Sequence, residues 1–210
     1  SLENKNIILN ILQSFDSFIN FLKSNRFFLL RHEERDSSLS YSTMLTKKGC
    51  ERTKQLDIPI GTLFCSSYIR CIQTILPFAQ KKNLMINIDY SLDEYECIED
   101  RIYFENDTIE NREALLLKYS QYINKENTQL LEKEKNIYNN SFDTICSKKT
   151  DIMNFLINLW KRNTINQTYI ICSHQTTLAI LIKIITFNSN DITIIENTIE
   201  MGKLISTHIS

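Results

Sequence analysis

The chain has 210 residues, 42% of them hydrophobic, which is enough for one substantial core and fits a single domain better than several. Its 24 Lys and Arg residues nearly balance its 25 Asp and Glu residues, and the formal net charge of -1 gives no reason to expect a nucleic-acid partner. No apolar run approaches the roughly 20 residues of a membrane span, so we expect a soluble protein without membrane contact.

The N-terminal 25 residues predict an amphipathic helix. Apolar residues recur at i, i+3, i+4 and i+7 between Ile7 and Leu22, which is the spacing of one helix face. The segment lacks the basic start and the small-residue cleavage site of a secretory signal. Its apolar stripe could dock on the domain or on a second subunit, which leaves a homodimer open. We therefore divide the chain into a helix at residues 1–25 and a domain at residues 26–210.

From residue 26 onward, short β-type runs alternate with longer helical patterns. This order is typical of a three-layer α/β/α fold, in which helices cover both faces of a mostly parallel sheet. The predicted strands are residues 26–31, 62–66, 85–89, 168–173 and about 203–209. The predicted helices are residues 43–55, 67–81, 150–162 and 175–187. Pro77 falls within the second of these helices and is expected to kink or shorten it.

The stretch from about residue 99 to residue 140 is polar and rich in Glu, Lys and Asn, with only a weak helical stripe. It is interpreted as a helical insertion over the sheet. Two roles stay open for it: a lid over a site, or a solvated excursion without a role there.

Cysteine and glycine usage narrows the class of protein. The six cysteines include no C-x2-C pair, and several lie in apolar runs, so we expect free thiols in the reducing cytoplasm. With only 3 Gly residues there is no Gly-rich phosphate loop, which argues against nucleotide-binding folds of the Walker or dinucleotide kind.

Three predicted strands end in residues that can bind an anion. These residues are Arg31 and His32 after the first strand, Arg70 after the second, and His174 after the fourth. Because ligands bind at the carboxyl ends of the strands in an open parallel sheet, two arginines and two histidines are expected to meet at one edge. Arg31 at the end of a buried strand also needs an anionic partner, which a substrate phosphate would supply.

These residues lie in motifs that resemble the histidine phosphatases, also called the phosphoglycerate mutase-like superfamily. The run Arg31-His32-Glu33-Glu34 is similar to the family's opening Arg-His-Gly followed by Glu. Residues 45–49 resemble L-T-x-x-G, residues 65–74 resemble S-S-x-x-R-C-x-Q-T, and residues 173–175 resemble the closing Ser-His-Gly. Arg35 and residues 88–95 are most similar to the branch of the suppressor-of-T-cell-signalling phosphatases.

The resemblance implies a phosphoglycerate mutase-like fold and an enzyme that hydrolyses phosphomonoesters without a metal or another cofactor. It implies His32 as a nucleophile that becomes phosphorylated, with Arg31, Arg70 and His174 on the phosphoryl oxygens and Arg35 in the same phosphate-binding set. Neighbouring cations are expected to keep His32 unprotonated, as a nucleophile must be. The substrate would be a phosphorylated small molecule or a phosphoprotein.

A general acid must also protonate the leaving alkoxide and later activate the water that hydrolyses the phosphohistidine. Glu94 is chosen because residues 92–94 resemble the family's L-x-E, and Glu96 and Glu99 are the alternatives. With His32, Glu94 and His174 as catalytic residues, turnover is expected to fall at low pH as His32 is protonated. It should also fall at high pH as Glu94 loses the proton that it donates.

Two family glycines are replaced here, by Glu33 and Gln175. Either replacement could narrow the pocket, and Glu33 adds negative charge beside an anion site unless it points away or pairs with Arg35 or another cation. A catalytically inactive phosphate-binding pseudoenzyme is therefore one alternative. A mutase-type phosphotransferase is the other, because mutases share the same four core residues. A cysteine-based phosphatase is rejected because Cys65 and Arg70 form C-x4-R rather than the C-x5-R that such a loop needs.

Overall fold

The computed structural model of the protein describes residues 2–37, 41–94, 114–125, 145–162, 164–187 and 195–207. Its strands are β1 (Arg26–Arg31), β2 (Thr62–Cys65), β3 (Ile86–Ile88), β4 (Thr168–Ser173) and β5 (Leu204–Thr207). Its longer helices are α1 (Leu2–Ser24), α2 (Lys47–Thr53), α3 (Ile69–Lys82), α4 (Ile145–Lys161) and α5 (Gln175–Thr186). Every predicted strand and helix is present, and β1 and β4 have the predicted bounds.

These strands form one sheet in the order β3-β2-β4-β1-β5. Strand β4 is parallel to β1 and β2, and β2 is parallel to β3, whereas β5 runs antiparallel to β1 at one edge. Helices cover both faces of this sheet. The predicted three-layer α/β/α architecture with a mostly parallel sheet is therefore confirmed.

Side chains of the central strand β4 alternate between the two faces of the sheet, as strand geometry requires. Tyr169 and Ile171 pack with α1, α4 and α5 on one face, and Ile170 and Cys172 pack with α3 on the other. All four are buried. Burial on both faces explains why β4 is a continuous apolar run rather than an alternating one.

The C-terminal half of α1 packs on the domain. The ring of Phe18 lies edge-on against Trp160 of α4 with centroids 5.7 Å apart, and Phe21 lies edge-on against Phe27 of β1 at 6.1 Å. Phe15, one turn earlier, is 58% exposed. The amphipathic stripe of α1 thus enters the core near the end of the helix. None of the described helices combines the length and the apolar character needed to cross a membrane.

Pro77 lies inside α3, and the helix continues beyond it to Lys82. The expectation that this proline shortens the helix is therefore wrong, and a kink at Pro77 stays a prediction. Buried apolar side chains lie on both sides of it, at Ile72, Ile75 and Phe78. Tertiary packing of this face outweighs the helix hydrogen bond that proline cannot make.

Most of the predicted insertion at residues 99–140 lies outside the described residues. Its described part contains a helical turn at 114–117 and a 3-10 turn at Ser120–Tyr122. Ile123 then forms a parallel β-bridge with Ile86 of β3. This part of the chain therefore runs beside the β3 edge of the sheet, and the lid role stays a prediction.

Candidate active site

The carboxyl ends of the parallel strands β1, β2 and β4 lie side by side along one edge of the sheet, the edge formed by the strand ends. Strand β4 lies between the other two, and Arg31 at the end of β1 is in register with Ser173 at the end of β4. The backbone N–H of His32 donates to the Ser173 carbonyl at 3.1 Å. The imidazole rings of His32 and His174 have their centroids 5.3 Å apart. The two histidines expected at this edge are therefore neighbours.

His32 is a neutral imidazole in which Nδ1 is hydrogen-bonded and Nε2 carries a lone pair. Its side chain is buried, and Nδ1 lies 2.8 Å from the Glu33 carbonyl oxygen. Because a carbonyl only accepts, Nδ1 carries the proton and Nε2 presents a lone pair. Burial, followed by the positive charge of Arg70 and then of Arg31, lowers the pKa of His32 to about 3. The ring is thus unprotonated at neutral pH, as a nucleophile must be.

The lowered pKa of His32 predicts a loss of stability on acidification. Below a pKa of about 6.5 the unfolded chain takes up a proton here, whereas the folded chain does so only near pH 3. Stability therefore falls as the pH falls from about 6.5 towards 3. This residue alone lowers the free energy of unfolding by about 2 kcal/mol between pH 7 and pH 5.

Urea unfolding at pH 7 and pH 5 measures this effect. A His32→Asn variant, which has no ionisable group at the position, should show a smaller difference between the two pH values. An equal difference in the two proteins would contradict the prediction.

Arg70 is the buried centre of the site. Its side chain is fully buried, and its guanidinium stacks over the Tyr68 ring at 4.5 Å. Its Nη2 donates to the Glu94 carboxylate and lies 3.3 Å from Nδ1 of His174. Arg70 lies in the first turn of α3, where the Thr74 hydroxyl donates to its carbonyl at 2.7 Å. Because a buried guanidinium needs an anionic partner, Glu94 takes a place that a phosphate oxygen could also take.

Arg31 and Arg35 add positive charge at the same edge. Arg31 donates through Nη1 to the Ile199 carbonyl at 3.0 Å, while its Nε is buried without a hydrogen-bond partner among the described residues. An unpaired buried donor costs about 1–3 kcal/mol, which an oxyanion at this place would offset. Arg35 donates to the Asp36 carbonyl at 2.9 Å, and its pKa is lowered by burial and then by the charge of Arg70.

His174 is fully buried at the start of α5. Its Nε2 lies 2.9 Å from the Ser66 hydroxyl and 3.5 Å from the Cys71 thiol. Its Nδ1 lies 3.5 Å from the Glu94 carboxylate. Burial, followed by the positive charge of Arg70, holds the pKa of His174 well below its ordinary value. One nitrogen therefore faces the end of β2, and the other faces Arg70 and Glu94.

Glu33 turns its carboxylate towards Arg52 and Gly202. Its Oε2 lies 3.7 Å from Nη1 of Arg52 and accepts the Glu34 N–H at 3.1 Å. Gly202 has a φ of 68°, and a Cβ there would lie 1.8 Å from Oε1 of Glu33. Glycine at this position therefore leaves room for the carboxylate. Of the possibilities left open for Glu33, the structure shows pairing with a cation, and that cation is Arg52 rather than Arg35.

Three other motif residues, Gln175, Thr46 and Gly49, have structural contacts. Gln175 donates through its side-chain amide to the Glu196 carbonyl at 2.8 Å. Thr46 caps α2 by accepting the Gly49 N–H at 3.0 Å. A Cβ on Gly49 would lie 2.2 Å from the Glu34 carbonyl oxygen, so this glycine lets α2 approach the chain just after His32.

Of the three candidate general acids, Glu94 lies within the described residues, with its side chain 33% exposed. Glu96 and Glu99 lie outside them. No group of three or more His, Cys, Asp and Glu side chains in the described ranges is arranged to hold a metal ion.

Asp93 belongs to the same cluster, although the sequence did not single it out. Its Oδ1 accepts the Ser66 hydroxyl at 2.8 Å and the Ser67 N–H at 2.8 Å, and its Oδ2 accepts the Ser67 hydroxyl at 2.7 Å. The sequence feature that could have indicated a buried acceptor here is the pair of serines directly after a strand that ends at this edge. Sequence alone does not show which acidic residue those hydroxyls meet.

Comparison with known proteins gives structural matches alone: no family model and no curated protein matches the sequence. The alpha-ribazole phosphatase of Shigella flexneri matches with a TM-score of 0.56 and 20% identity, over 86% of this chain and 89% of that chain. The phosphoserine phosphatase of Entamoeba histolytica, in complex with 3-phosphoglyceric acid, matches with a TM-score of 0.54 and 16% identity, over 87% and 89%. The ecdysone phosphate phosphatase of Bombix mori, in complex with tungstate, matches with a TM-score of 0.54 and 13% identity, over 80% of each chain. At these identities the likeness shows the fold, and the predicted phosphoglycerate mutase-like architecture is confirmed.

Proposed function

We propose that the protein is a metal-independent histidine phosphatase, which hydrolyses a phosphomonoester through a phosphohistidine on His32. The observation that carries the proposal is a neutral, buried imidazole whose Nε2 lone pair has no hydrogen-bond partner among the described residues and which has two arginines beside it. Nδ1 of His32 is occupied by the Glu33 carbonyl, and Arg31 and Arg70 both act on the ring electrostatically. The three compared proteins are phosphatases by name, and one of them binds tungstate, a tetrahedral oxyanion.

In the first step Arg31, Arg70 and His174 hold the phosphoryl oxygens, and Nε2 of His32 attacks phosphorus. The N–P bond forms as the P–O bond of the ester breaks, and the leaving alkoxide takes a proton from Glu94. Arg70 donates to the Glu94 carboxylate in the structure. A phosphate that takes up this donor would release Glu94 to hold the proton that the leaving group needs.

In the second step Glu94, now a carboxylate, removes a proton from water, and the water oxygen attacks phosphorus. The N–P bond breaks, inorganic phosphate leaves, and neutral His32 and protonated Glu94 are restored. Arg31, Arg35 and Arg70 stabilise the negative charge of the phosphoryl group in both steps. Because guanidiniums supply this stabilisation, the proposal includes no metal ion.

The substrate is proposed to be a phosphorylated small molecule or a phosphoprotein, and the names of the alpha-ribazole and phosphoserine phosphatases favour the small molecule. Likeness to the suppressor-of-T-cell-signalling branch depends on Arg35 and residues 88–95 alone. Four described cysteines are free thiols, which supports a cytoplasmic location: Cys50, Cys65, Cys71 and Cys172. The division into a helix at residues 1–25 and a domain at residues 26–210 is part of the same proposal.

Hydrolysis of p-nitrophenyl phosphate in the presence of EDTA tests the function. We expect turnover that EDTA does not lower, because the residues that hold the phosphate are arginines and a histidine. Binding of phosphate or vanadate without turnover would instead support the phosphate-binding pseudoenzyme. Transfer of the phosphoryl group to a phosphorylated sugar acid, rather than to water, would support the mutase.

A further inference from the structure

Three side chains from separate parts of the chain form a line in the candidate active site, in the order Asp93, Ser66, His174. Ser66 follows β2, Asp93 follows β3, and His174 follows β4. The distances are 2.8 Å from the Ser66 hydroxyl to Oδ1 of Asp93 and 2.9 Å from the same hydroxyl to Nε2 of His174. The side chains of Ser66 and His174 are fully buried. Each hydrogen-bonding group in this line must therefore find its partner inside the protein.

Asp93 can only accept in this arrangement, because three donors face its two oxygens. The Ser67 N–H and hydroxyl donate to Oδ1 and Oδ2, and the Ser66 hydroxyl donates to Oδ1. The Thr177 hydroxyl, from α5, donates to the Asp93 carbonyl at 2.8 Å and holds the backbone of the same residue. Asp93 is thus held through its carboxylate by the segment after β2 and through its backbone carbonyl by α5.

The single hydroxyl proton of Ser66 is therefore directed to Asp93. A serine oxygen has two lone pairs, and the Tyr68 N–H, at 3.3 Å, takes one of them. The second lone pair faces Nε2 of His174, so Nε2 carries a proton. The Cys71 thiol, 3.5 Å from the same nitrogen, is a weaker competing partner.

With Nε2 protonated, Nδ1 is the nitrogen that faces the phosphate-binding side. It lies 3.3 Å from Nη2 of Arg70 and 3.5 Å from the Glu94 carboxylate. Burial and Arg70 keep the free ring neutral, so a second proton comes with a phosphate that binds as its monoanion. Nδ1 is the nitrogen that can take this proton and share it with a phosphoryl oxygen. The Asp93 carboxylate then supports the resulting cation through Ser66, as the buried Asp does for His in a Ser-His-Asp triad.

We propose that Asp93 and Ser66 are positioning residues that hold the Nε2 proton of His174 and leave Nδ1 to bind the substrate phosphate. This inference rests on the proposed function for its effect on hydrolysis, but the position of the proton is a property of the folded chain itself. The two parts are therefore measured separately.

Long-range proton–nitrogen NMR correlations of the imidazoles report the tautomer of His174 directly. The chain has 3 histidines, so the signals can be assigned by single substitutions. We expect an Nε2–H tautomer in the wild-type chain. Ser66→Ala and Asp93→Ala should shift His174 towards Nδ1–H, because the Glu94 carboxylate is then its nearest strong acceptor.

Two variants serve as matched comparisons. Asp93→Asn keeps an oxygen for the Ser66 hydroxyl and the Ser67 N–H, so it should retain the Nε2–H tautomer. Ser67→Ala removes a hydroxyl from the same carboxylate without a contact to His174, so it should also retain the tautomer. An Nδ1–H tautomer in the wild-type chain, or an unchanged tautomer in folded Ser66→Ala and Asp93→Ala, would overturn the positioning role.

Steady-state hydrolysis of p-nitrophenyl phosphate gives the second measurement. Ser66→Ala and Asp93→Ala should lower kcat on the order of 10-fold to 100-fold, the range for loss of a hydrogen bond to a charged group, with little change in KM. Asp93→Asn should recover part of this loss. A wild-type chain that shows the Nε2–H tautomer but no hydrolysis would refute the proposed function and leave the positioning of His174 supported.

Discussion

A His32→Ala variant is expected to lose hydrolysis of p-nitrophenyl phosphate by on the order of 10⁴-fold or more, because it removes the atom that forms the covalent intermediate in the proposed mechanism. The structure prepares that atom in three ways: the ring is buried, its Nδ1 is occupied by the Glu33 carbonyl, and its pKa is lowered to about 3. Steady-state release of p-nitrophenolate measures the loss.

Binding of vanadate should survive in the same variant. The groups proposed to hold the oxyanion, Arg31 and Arg70, keep their own contacts to the Ile199 carbonyl and to Glu94. Retained binding separates loss of the nucleophile from loss of the fold. Gln175→Ala is the matched control, since this side chain lies beside His174 in sequence but donates to the Glu196 carbonyl. A folded His32→Ala protein with turnover near that of Gln175→Ala would refute the covalent mechanism.

The effect of a Glu94→Gln substitution on turnover should depend on how well the leaving group of the substrate departs without a proton. With glycerol phosphate, whose alkoxide needs a proton, we expect turnover to fall about 10²-fold to 10³-fold. With p-nitrophenyl phosphate, whose phenolate leaves without help, the first step should remain fast. Because the second step still needs a base, the phosphohistidine should accumulate. Stopped-flow traces should then show a burst of about one p-nitrophenolate per chain followed by slow release.

The glutamine amide oxygen can still accept from Nη2 of Arg70, so the substitution changes the proton chemistry more than the geometry. Glu34→Gln is the matched control, because its carboxylate contacts the Thr46 hydroxyl at 3.0 Å and Lys48 at 3.4 Å instead. Equal, small losses on both substrates and no burst would remove Glu94 from the mechanism.

The sequence predicted the sheet and the meeting of the two histidines because both depend on local pattern and topology. Strand β4 is an apolar run buried on both faces, and its end is fixed by the polar residues that follow it. Parallel strands then carry His32 and His174 to the same edge whatever the details of packing. The same physics placed Arg31 and Arg70 there.

Other features depend on contacts between residues distant in sequence, which no local pattern contains. Pro77 predicted a kinked or shortened α3, but the helix continues beyond it, with buried side chains on both sides of the proline. Asp93 is the variable position of the L-x-E match, yet its carboxylate accepts hydrogen bonds from two serines that follow another strand. Arg52 pairs with Glu33 across the packing of α2 against the first strand end, and charge type alone gave several possible partners.

Gly202 leaves the space that the carboxylate of Glu33 occupies, so the two positions are coupled although they are distant in sequence. A Cβ at position 202 would lie 1.8 Å from Oε1 of Glu33, so a side chain there would displace the carboxylate from its place beside Arg52. Mutational tolerance at residue 202 is thus limited twice, by a φ of 68° that side chains rarely adopt and by the carboxylate of residue 33. A substitution at residue 202 is therefore expected to be tolerated poorly even when residue 33 is a glycine.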